Sequence, residues 1–189
     1  MRFFSYLFIA TIALFTITAC GSKNKVQNNI DNRPEFVKKP PMDTDEYLFE
    51  TGTSGSVRMA TADEKAYLDA STKMARKLEQ RIDAMQKSFT EEISSGNNTN
   101  SNYVESFTSV KKSITSENLV GLTKVESAMM PNEESGGYQA FVLVRYPVGA
   151  AAELLDNALS REEELYIKFK ESKAFKELQE EIERYRKNN

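Results

Sequence analysis

The Lys, Asp and Glu residues of this 189-residue chain could do acid–base chemistry, but no pair of them stands apart from a helical charge pattern. The chain has no histidine, which excludes the commonest general base, the Ser-His-Asp triad and most zinc sites. The run Glu162–Glu164 can attract a cation, but such a run usually belongs to a solvated helix face. The segment Gly52–Gly55 lacks the Gly-Lys-Ser/Thr ending of a phosphate-binding loop, so it is interpreted as a turn. We therefore expect no catalytic, metal or cofactor-binding residue, and a protein that is not an enzyme.

The remaining reactive group is the thiol of Cys20, the one cysteine of the chain, and its surroundings indicate an N-terminal signal segment. Arg2 precedes an uncharged, mostly apolar stretch over residues 3–19. This stretch is shorter than the roughly 20 apolar residues that a membrane-spanning helix needs. A basic start, an apolar run and small residues before a cleavage point are typical of secretion signals. The sequence therefore predicts a signal peptide over residues 1–19 and a mature chain that begins at Cys20.

The residues Ile17-Thr18-Ala19-Cys20 resemble the bacterial lipobox, in which a branched apolar residue and two small residues precede an invariant cysteine. The resemblance implies that Cys20 is lipidated with diacylglycerol after cleavage, although Ile17 replaces the commoner leucine. The alternative is an ordinary thiol in a plain signal peptide, which would leave a single unpaired cysteine unexplained. Gly21 follows Cys20 in place of aspartate. By resemblance to Gram-negative sorting rules this implies the outer membrane, with the periplasmic or the outer face left open.

Residues 20–43 predict a flexible tether between this anchor and a folded domain. The segment holds Pro34, Pro40 and Pro41, which oppose helix and sheet, and it has few apolar residues to bury. Its excess of positive charge can favour anionic lipid, but a solvated linker is the preferred interpretation. The chain from Thr44 on is long enough for one domain with its own core. The whole chain has an acidic balance, with a net charge of −3, and shows no basic face of the kind that nucleic acid requires.

The pattern from Thr44 on predicts an α+β domain. A short aromatic strand at Tyr47–Thr51 ends in the Gly-rich turn, and Thr61 with Glu64 forms a capping box at the start of a long helix. That helix runs to Ser94 and carries a continuous apolar stripe. Its first turns are thin, because small residues occupy them, and would let the helix lie close to a sheet. These small residues are Ala60, Ala62, Ala66 and Ala70.

The second half of the chain completes the predicted sheet. We expect a shorter amphipathic helix over Tyr103–Ile114, a strand over Leu119–Met130, and a strand over Tyr138–Tyr146 that is apolar on both faces. From Ala150 the pattern predicts helix almost to the end, with a break allowed near Ser160. The predicted fold is a small antiparallel sheet of about three strands packed against a long amphipathic helix. The long C-terminal helix covers the other face of the sheet or projects from the domain.

The order of these elements resembles the Lpp-twenty family, twenty-kilodalton lipoproteins of the bacterial envelope. The family has a strand ending in glycine, an alanine-rich helix, a glycine-containing strand and an aromatic-valine strand. The matching segments here are Tyr47–Gly52, Ala60–Ile93, Leu119–Val125 and Tyr138–Tyr146. The resemblance covers the predicted domain 44–148 and leaves the C-terminal amphipathic helix, 149–189, outside. It implies a role in flagellar or envelope assemblies and carries over no catalytic residue.

A partner surface is predicted on the C-terminal helix, which is longer than a small domain can cover. The alternative is that its aromatic side chains pack on the sheet. The leading hypothesis is a lipid-anchored, non-enzymatic module that binds another envelope protein or a second copy of itself. The alternative hypothesis is a module that binds a glycan, peptidoglycan or a small molecule, with the polar loop Asn97–Asn102 among its contacts. The aromatic residues of the predicted partner surface are Tyr166, Phe169, Phe175 and Tyr185.

Overall fold

The computed structural model describes residues 32–94, 101–115, 119–132 and 136–188. From Arg33 onward the chain forms one compact unit. The predicted α+β class is confirmed, because three antiparallel strands form a sheet on which a long helix packs, and a long helix ends the chain. The elements are α1 (Glu35–Lys38), β1 (Tyr47–Ser56), α2 (Met59–Ser94), α3 (Ser101–Ser113), β2 (Thr123–Asn132), β3 (Gly137–Pro147), α4 (Val148–Leu159), α5 (Glu163–Phe169) and α6 (Lys173–Asn188).

The sheet has the strand order β1-β3-β2, so the last strand in sequence is the central one. Its central place explains why β3 is apolar on both faces, as the sequence predicted. Val142 and Val144 belong to the large core on the α2 side, which we call the inner face of the sheet. Phe141 and Leu143 alternate with them and form a separate, smaller core on the outer face.

Helix α2 lies unusually close to β1, and small residues on both elements allow the approach. Ala62, Ala66 and Ala70 are fully buried. A Cβ atom at Gly52 would overlap the backbone of Ala66 and Ala70. The prediction that alanines let the helix approach the sheet is therefore correct for these three, whereas Ala60 is exposed, and the predicted turn at Gly52–Gly55 is wrong. The strand continues to Ser56, and Gly52 makes room for the helix rather than reversing the chain.

The start of α2 also differs from the predicted position. The helix begins at Met59, and the N–H of Ala62 donates to the carbonyl oxygen of Arg58 at 3.0 Å. Thr61 is thus the third helical residue, and the predicted capping box does not mark the boundary. The apolar stripe behaves as predicted along the rest of the helix. Its buried members are Ala70, Met74, Leu78, Ile82 and Phe89.

The C-terminal region forms three helices instead of one. The chain breaks at Ser160, where the sequence allowed it, and again before Lys173. A new helix, α6, begins after the second break. The buried Oγ of Ser172 caps this helix by accepting the N–H of Phe175 at 3.1 Å. These helices share the core of α2 on the inner face. The expectation that they cover the other face or project is therefore wrong.

The outer face of the sheet is covered instead by residues that the sequence assigned to the tether. Residues 20–31 of the predicted tether lie outside the described residues, but its last part is folded. Phe36 in α1 is buried against Phe141 and Leu143. The folded unit therefore includes residues 33–43, because one aromatic side chain is enough to fasten this short segment to an apolar patch.

Candidate functional site

The predicted lipid attachment point, Cys20, lies outside the described residues, and its modification stays a prediction. Within the described part of the chain, no helix is both long and apolar enough to cross a bilayer. The same residues contain no group of three or more His, Cys, Asp or Glu side chains that could hold a metal ion.

The predicted aromatic partner surface is wrong for Phe169, which is completely buried. Its ring lies 5.8 Å from the ring of Phe89 on α2 and 6.1 Å from that of Phe107 on α3, in edge-to-face contacts. Phe175 on α6 lies 5.8 Å from the other side of the same ring. The sequence placed these residues on an exposed stripe because it treated the C-terminal region as one helix. The break before Lys173 instead folds α6 back and makes them the joint between four helices.

Tyr166 and Phe175 are half-buried members of this joint, with ring centres 5.9 Å apart. The Tyr166 hydroxyl donates to Asp156 Oδ1 at 2.9 Å, and Gln179 donates to the same oxygen at 3.2 Å. Burial, together with the hydrogen bond to Asp156, raises the pKa of Tyr166 to about 12. The fourth predicted residue, Tyr185, lies apart from the other three. The structure thus assigns most of the predicted surface to packing between helices.

Tyr185 borders a polar groove of about 640 Å³ between the N-terminal end of β1 and helix α6. The tyrosine ring packs so closely on Gly149 that a Cβ atom there would overlap it. Of the groove's carboxylates, that of Glu181 forms an ion pair with Arg81, with an N–O distance of 2.6 Å. The mixture of aromatic rings with hydrogen-bonding groups suits a polar ligand such as a sugar. The groove is lined by Asp45, Glu46, Tyr47, Pro147, Gly149, Glu181, Arg184, Tyr185 and Asn188.

A second feature is the edge of β1 that does not pair with β3, where side chains of α2 form hydrogen bonds with the backbone of the strand. Asp69 Oδ2 accepts the N–H of Thr53 at 2.9 Å. Lys73 donates to the carbonyl oxygen of Thr51 at 3.0 Å, and Lys77 donates to that of Phe49 at 2.7 Å. The residues 69, 73 and 77 are spaced by four, so they follow one line on the helix. We call this line the edge ladder. The spacing is visible in the sequence, but nothing there indicates a strand beside it.

The surroundings of the edge ladder stabilise the charged forms of Asp69 and Lys77. Burial by itself would raise the pKa of Asp69, but the hydrogen bonds from Lys73 and from the N–H of Thr53 outweigh it and lower the pKa. Burial opposes the charge of Lys77 as well, and contacts with Asp43 and Glu50 overcome it and raise the pKa. Both groups therefore stay charged near neutral pH. An edge satisfied in this way cannot template another strand, which is how natural sheets avoid unwanted pairing.

The third feature is the outer face of the sheet, a site that the sequence analysis missed. Its core consists of Phe36, Phe141 and Leu143. A hydrophobic patch of this kind usually binds an apolar segment. Here the segment that binds is α1 of the same chain, through Phe36. The signal in the sequence was one phenylalanine inside a proline-rich stretch. The half-buried residues around this core are Val37, Phe49, Ala128 and Met130.

Most of the Asn-rich loop of the ligand hypothesis, Asn97–Asn102, lies outside the described residues. Residues 95–100 lie outside the described residues, and Asn102 belongs to α3. Comparison with protein-family models, with curated proteins and with solved structures gives no match for this chain.

Proposed function

We propose that this chain is a bacterial cell-envelope lipoprotein, anchored at the outer membrane through acylated Cys20, whose folded unit is a non-enzymatic protein-interaction module. The observation that carries the proposal is the motif Ile17-Thr18-Ala19-Cys20, which contains the one cysteine of the chain. A single acyl chain holds a protein to a bilayer only marginally, whereas two or more hold it stably. Diacylglycerol on Cys20 meets that requirement.

The position of the folded unit in the sequence supports this arrangement. Arg33, where the compact unit begins, follows Cys20 by 13 residues. Even fully extended, that length spans at most about 47 Å, at 3.6 Å per residue. The module therefore works close to the bilayer that holds it, within reach of other proteins of the same membrane.

The titratable groups of the described residues support binding over catalysis. Groups with shifted pKa values often mark active sites, but structural pairing produces the same shifts. Here Asp63 has a lowered pKa because Lys124 and Ser127 donate hydrogen bonds to its carboxylate. Tyr146 has a pKa raised to about 12, mainly by burial in the core. Each shift thus arises from a contact that holds strands and helices together, and none marks a free acid or base.

The polar groove beside Tyr185 favours a second candidate, an envelope ligand-binding module for a glycan, peptidoglycan or small molecule. Tyrosine rings stack on sugar faces, and the carboxylates of Asp45 and Glu46 can accept sugar hydroxyls. Both carboxylates line the groove. Since one end of the groove is formed by β1 and the other by α6, a ligand there would contact residues far apart in sequence.

The anchor is tested with Cys20→Ser in the full precursor, followed by metabolic labelling with an alkyne fatty acid and membrane fractionation. We expect the label to disappear and the chain to leave the detergent-soluble membrane fraction. Ser22→Ala is the matched control, because it changes a small residue just past the motif and should keep both label and membrane retention. Unchanged labelling and retention in Cys20→Ser would refute the proposal.

Sedimentation with purified peptidoglycan and cross-linking in intact envelopes distinguish protein interaction from ligand binding. Protein interaction predicts specific cross-linked adducts and no retention by peptidoglycan. Ligand binding predicts retention that is lost on Asp45→Asn with Arg184→Ala, two changes in the groove. Arg161→Ala, an exposed residue on another surface, is the control. Retention that survives the groove changes would count against that site.

A further inference from the structure

One turn of helix, α1, packs on the outer face of the sheet through Phe36. The turn α1 is closed by hydrogen bonds from the N–H groups of Val37 and Lys38 to the carbonyl oxygen of Pro34, at 3.0 and 3.2 Å. A helix of four residues is far too short to be stable alone. It persists because Phe36, 6 % exposed, is inserted against Phe141 and Leu143.

The other contacts of this turn are the half-buried side chain of Val37, which packs on the same core, and one exposed ion pair. The ion pair between Glu35 and Lys39 has an N–O distance of 3.5 Å, and both side chains are mostly exposed. Exposed pairs of this kind contribute little to stability. Burial of one phenylalanine side chain corresponds to a ratio of bound to released states on the order of 10 to 100. The segment Glu35–Lys38 is therefore bound to the outer face of the sheet most of the time, and it can dissociate from that face without unfolding the domain.

A firm attachment limits what such a release can move. Asp43 Oδ1 accepts the N–H of Phe49 at 2.9 Å and an Nζ–H of Lys77 at 3.0 Å, so the chain is fixed to the domain at that residue. Between the two attachments lie exposed residues, including Met42 at 86 % exposure. The chain is thus held at Phe36 and at Asp43, with an exposed span between them.

We propose that Glu35–Lys38 is a releasable clip that sets how far the domain can stand from its membrane anchor. This inference rests on the proposed lipid attachment at Cys20. With the clip seated, 16 residues join Cys20 to Phe36 and reach at most about 58 Å. With the clip released, the free chain ends at Asp43, 23 residues from Cys20, and reaches at most about 83 Å. Release also uncovers the patch around Phe141 and Leu143.

Release is tested by thiol labelling of the full lipidated chain, in which acylation occupies Cys20. Leu143→Cys places a thiol beneath the clip, and Val142→Cys places one on the inner face under α2. Each is compared with Phe36 present and with Phe36→Ser. We expect Phe36→Ser to speed labelling at position 143 by tenfold or more and labelling at 142 by less than threefold. Equal acceleration at both positions, or none at 143, would overturn the clip.

The reach is tested on vesicles by energy transfer from a lipid-bound donor to an acceptor at Lys187→Cys. We expect Phe36→Ser to lower the transfer efficiency, and Lys39→Ala, an exposed change in the same segment, to leave it unchanged. Unchanged transfer in Phe36→Ser would overturn the spacing role. A failure of the lipid anchor is distinguished because it would give no vesicle binding and a reactive thiol at Cys20, while labelling at position 143 would still report the clip.

Discussion

The carboxylate of Asp69 on α2 accepts the backbone N–H of Thr53 on β1 at 2.9 Å. The same carboxylate receives a hydrogen bond from Lys73 at 2.7 Å, and Lys73 also donates to the carbonyl oxygen of Thr51. A helix side chain thus replaces the strand that would otherwise pair with β1. This relationship links the position of α2 to the solubility of the sheet, because an unpaired edge is a template for aggregation.

Asp69→Ala removes the acceptor and leaves the Thr53 amide without its partner. We expect the free energy of unfolding to fall by about 1 kcal/mol, the usual contribution of one hydrogen bond, and exchange of the Thr53 amide hydrogen to accelerate. Urea unfolding and hydrogen exchange measure the two effects. Glu64→Ala is the control, since Glu64 is an exposed acid on the same helix. A loss no larger than that of the control would contradict the role of the edge ladder.

Stability should also depend on the charge of Asp69. Its pKa is lowered in the folded chain, so the carboxylate contributes stability that is complete above the unfolded pKa of about 3.9. That contribution is lost as the pH falls through the lower folded value. Asp69→Asn keeps an acceptor but removes the charge. Its deficit in unfolding free energy should be below about 1 kcal/mol, since the side chain is 36 % exposed.

Urea unfolding of wild type and Asp69→Asn at pH 7, 5 and 3 tests this dependence. The difference should be constant between pH 7 and 5 and should shrink at pH 3. A difference that is the same at all three values, or that grows in acid, would show that the charge of Asp69 has no stabilising role.

The close approach of β1 and α2 gives a prediction at Gly52. A Cβ atom there would meet backbone atoms of Ala66 and Ala70, which cannot move without shifting the helix. Gly52→Ala should therefore lower the free energy of unfolding by about 3 kcal/mol. Gly55→Ala is the matched control, because its Cβ would meet the flexible end of Gln139 at 3.2 Å and the carbonyl oxygen of Tyr138 at 3.6 Å, an ordinary contact distance. Thermal and urea unfolding should separate the two; comparable losses would mean that the interface adapts.

Periodic apolar residues made much of this fold predictable. The stripe on α2 and the continuous apolar run of β3 each identify an element because burial repeats at the helical or strand spacing. Residues that act once, through a distant partner, carry no such repeat. Gly52 looked like a turn because its partner Ala66 is visible only once helix and strand are adjacent. Ser172 likewise gave no sign that it would cap a new helix.

The surfaces were harder to predict than the core. Phe36 is a single aromatic residue in a proline-rich stretch. The composition of that stretch predicts a linker, because it averages over the segment and gives no weight to the one side chain that is buried. The aromatic residues of the C-terminal region were predicted as a partner surface, but Phe169 is buried and Tyr166 and Phe175 are half-buried between helices. A single break in the chain decides whether Phe169 faces solvent or the ring of Phe89.

The last prediction distinguishes packing from partner binding on α5. Phe169→Ala should cost about 3–5 kcal/mol, because it removes a buried ring that contacts both Phe89 and Phe107 and leaves a cavity beside them. Ile167→Ala, on the same helix but 58 % exposed, should change stability by less than about 0.5 kcal/mol. Urea unfolding measures both, and envelope cross-linking of the two variants gives a second comparison. If α5 contacts a partner, the adduct is lost in Ile167→Ala while the fold is intact. Loss of the adduct only in Phe169→Ala would instead follow from unfolding.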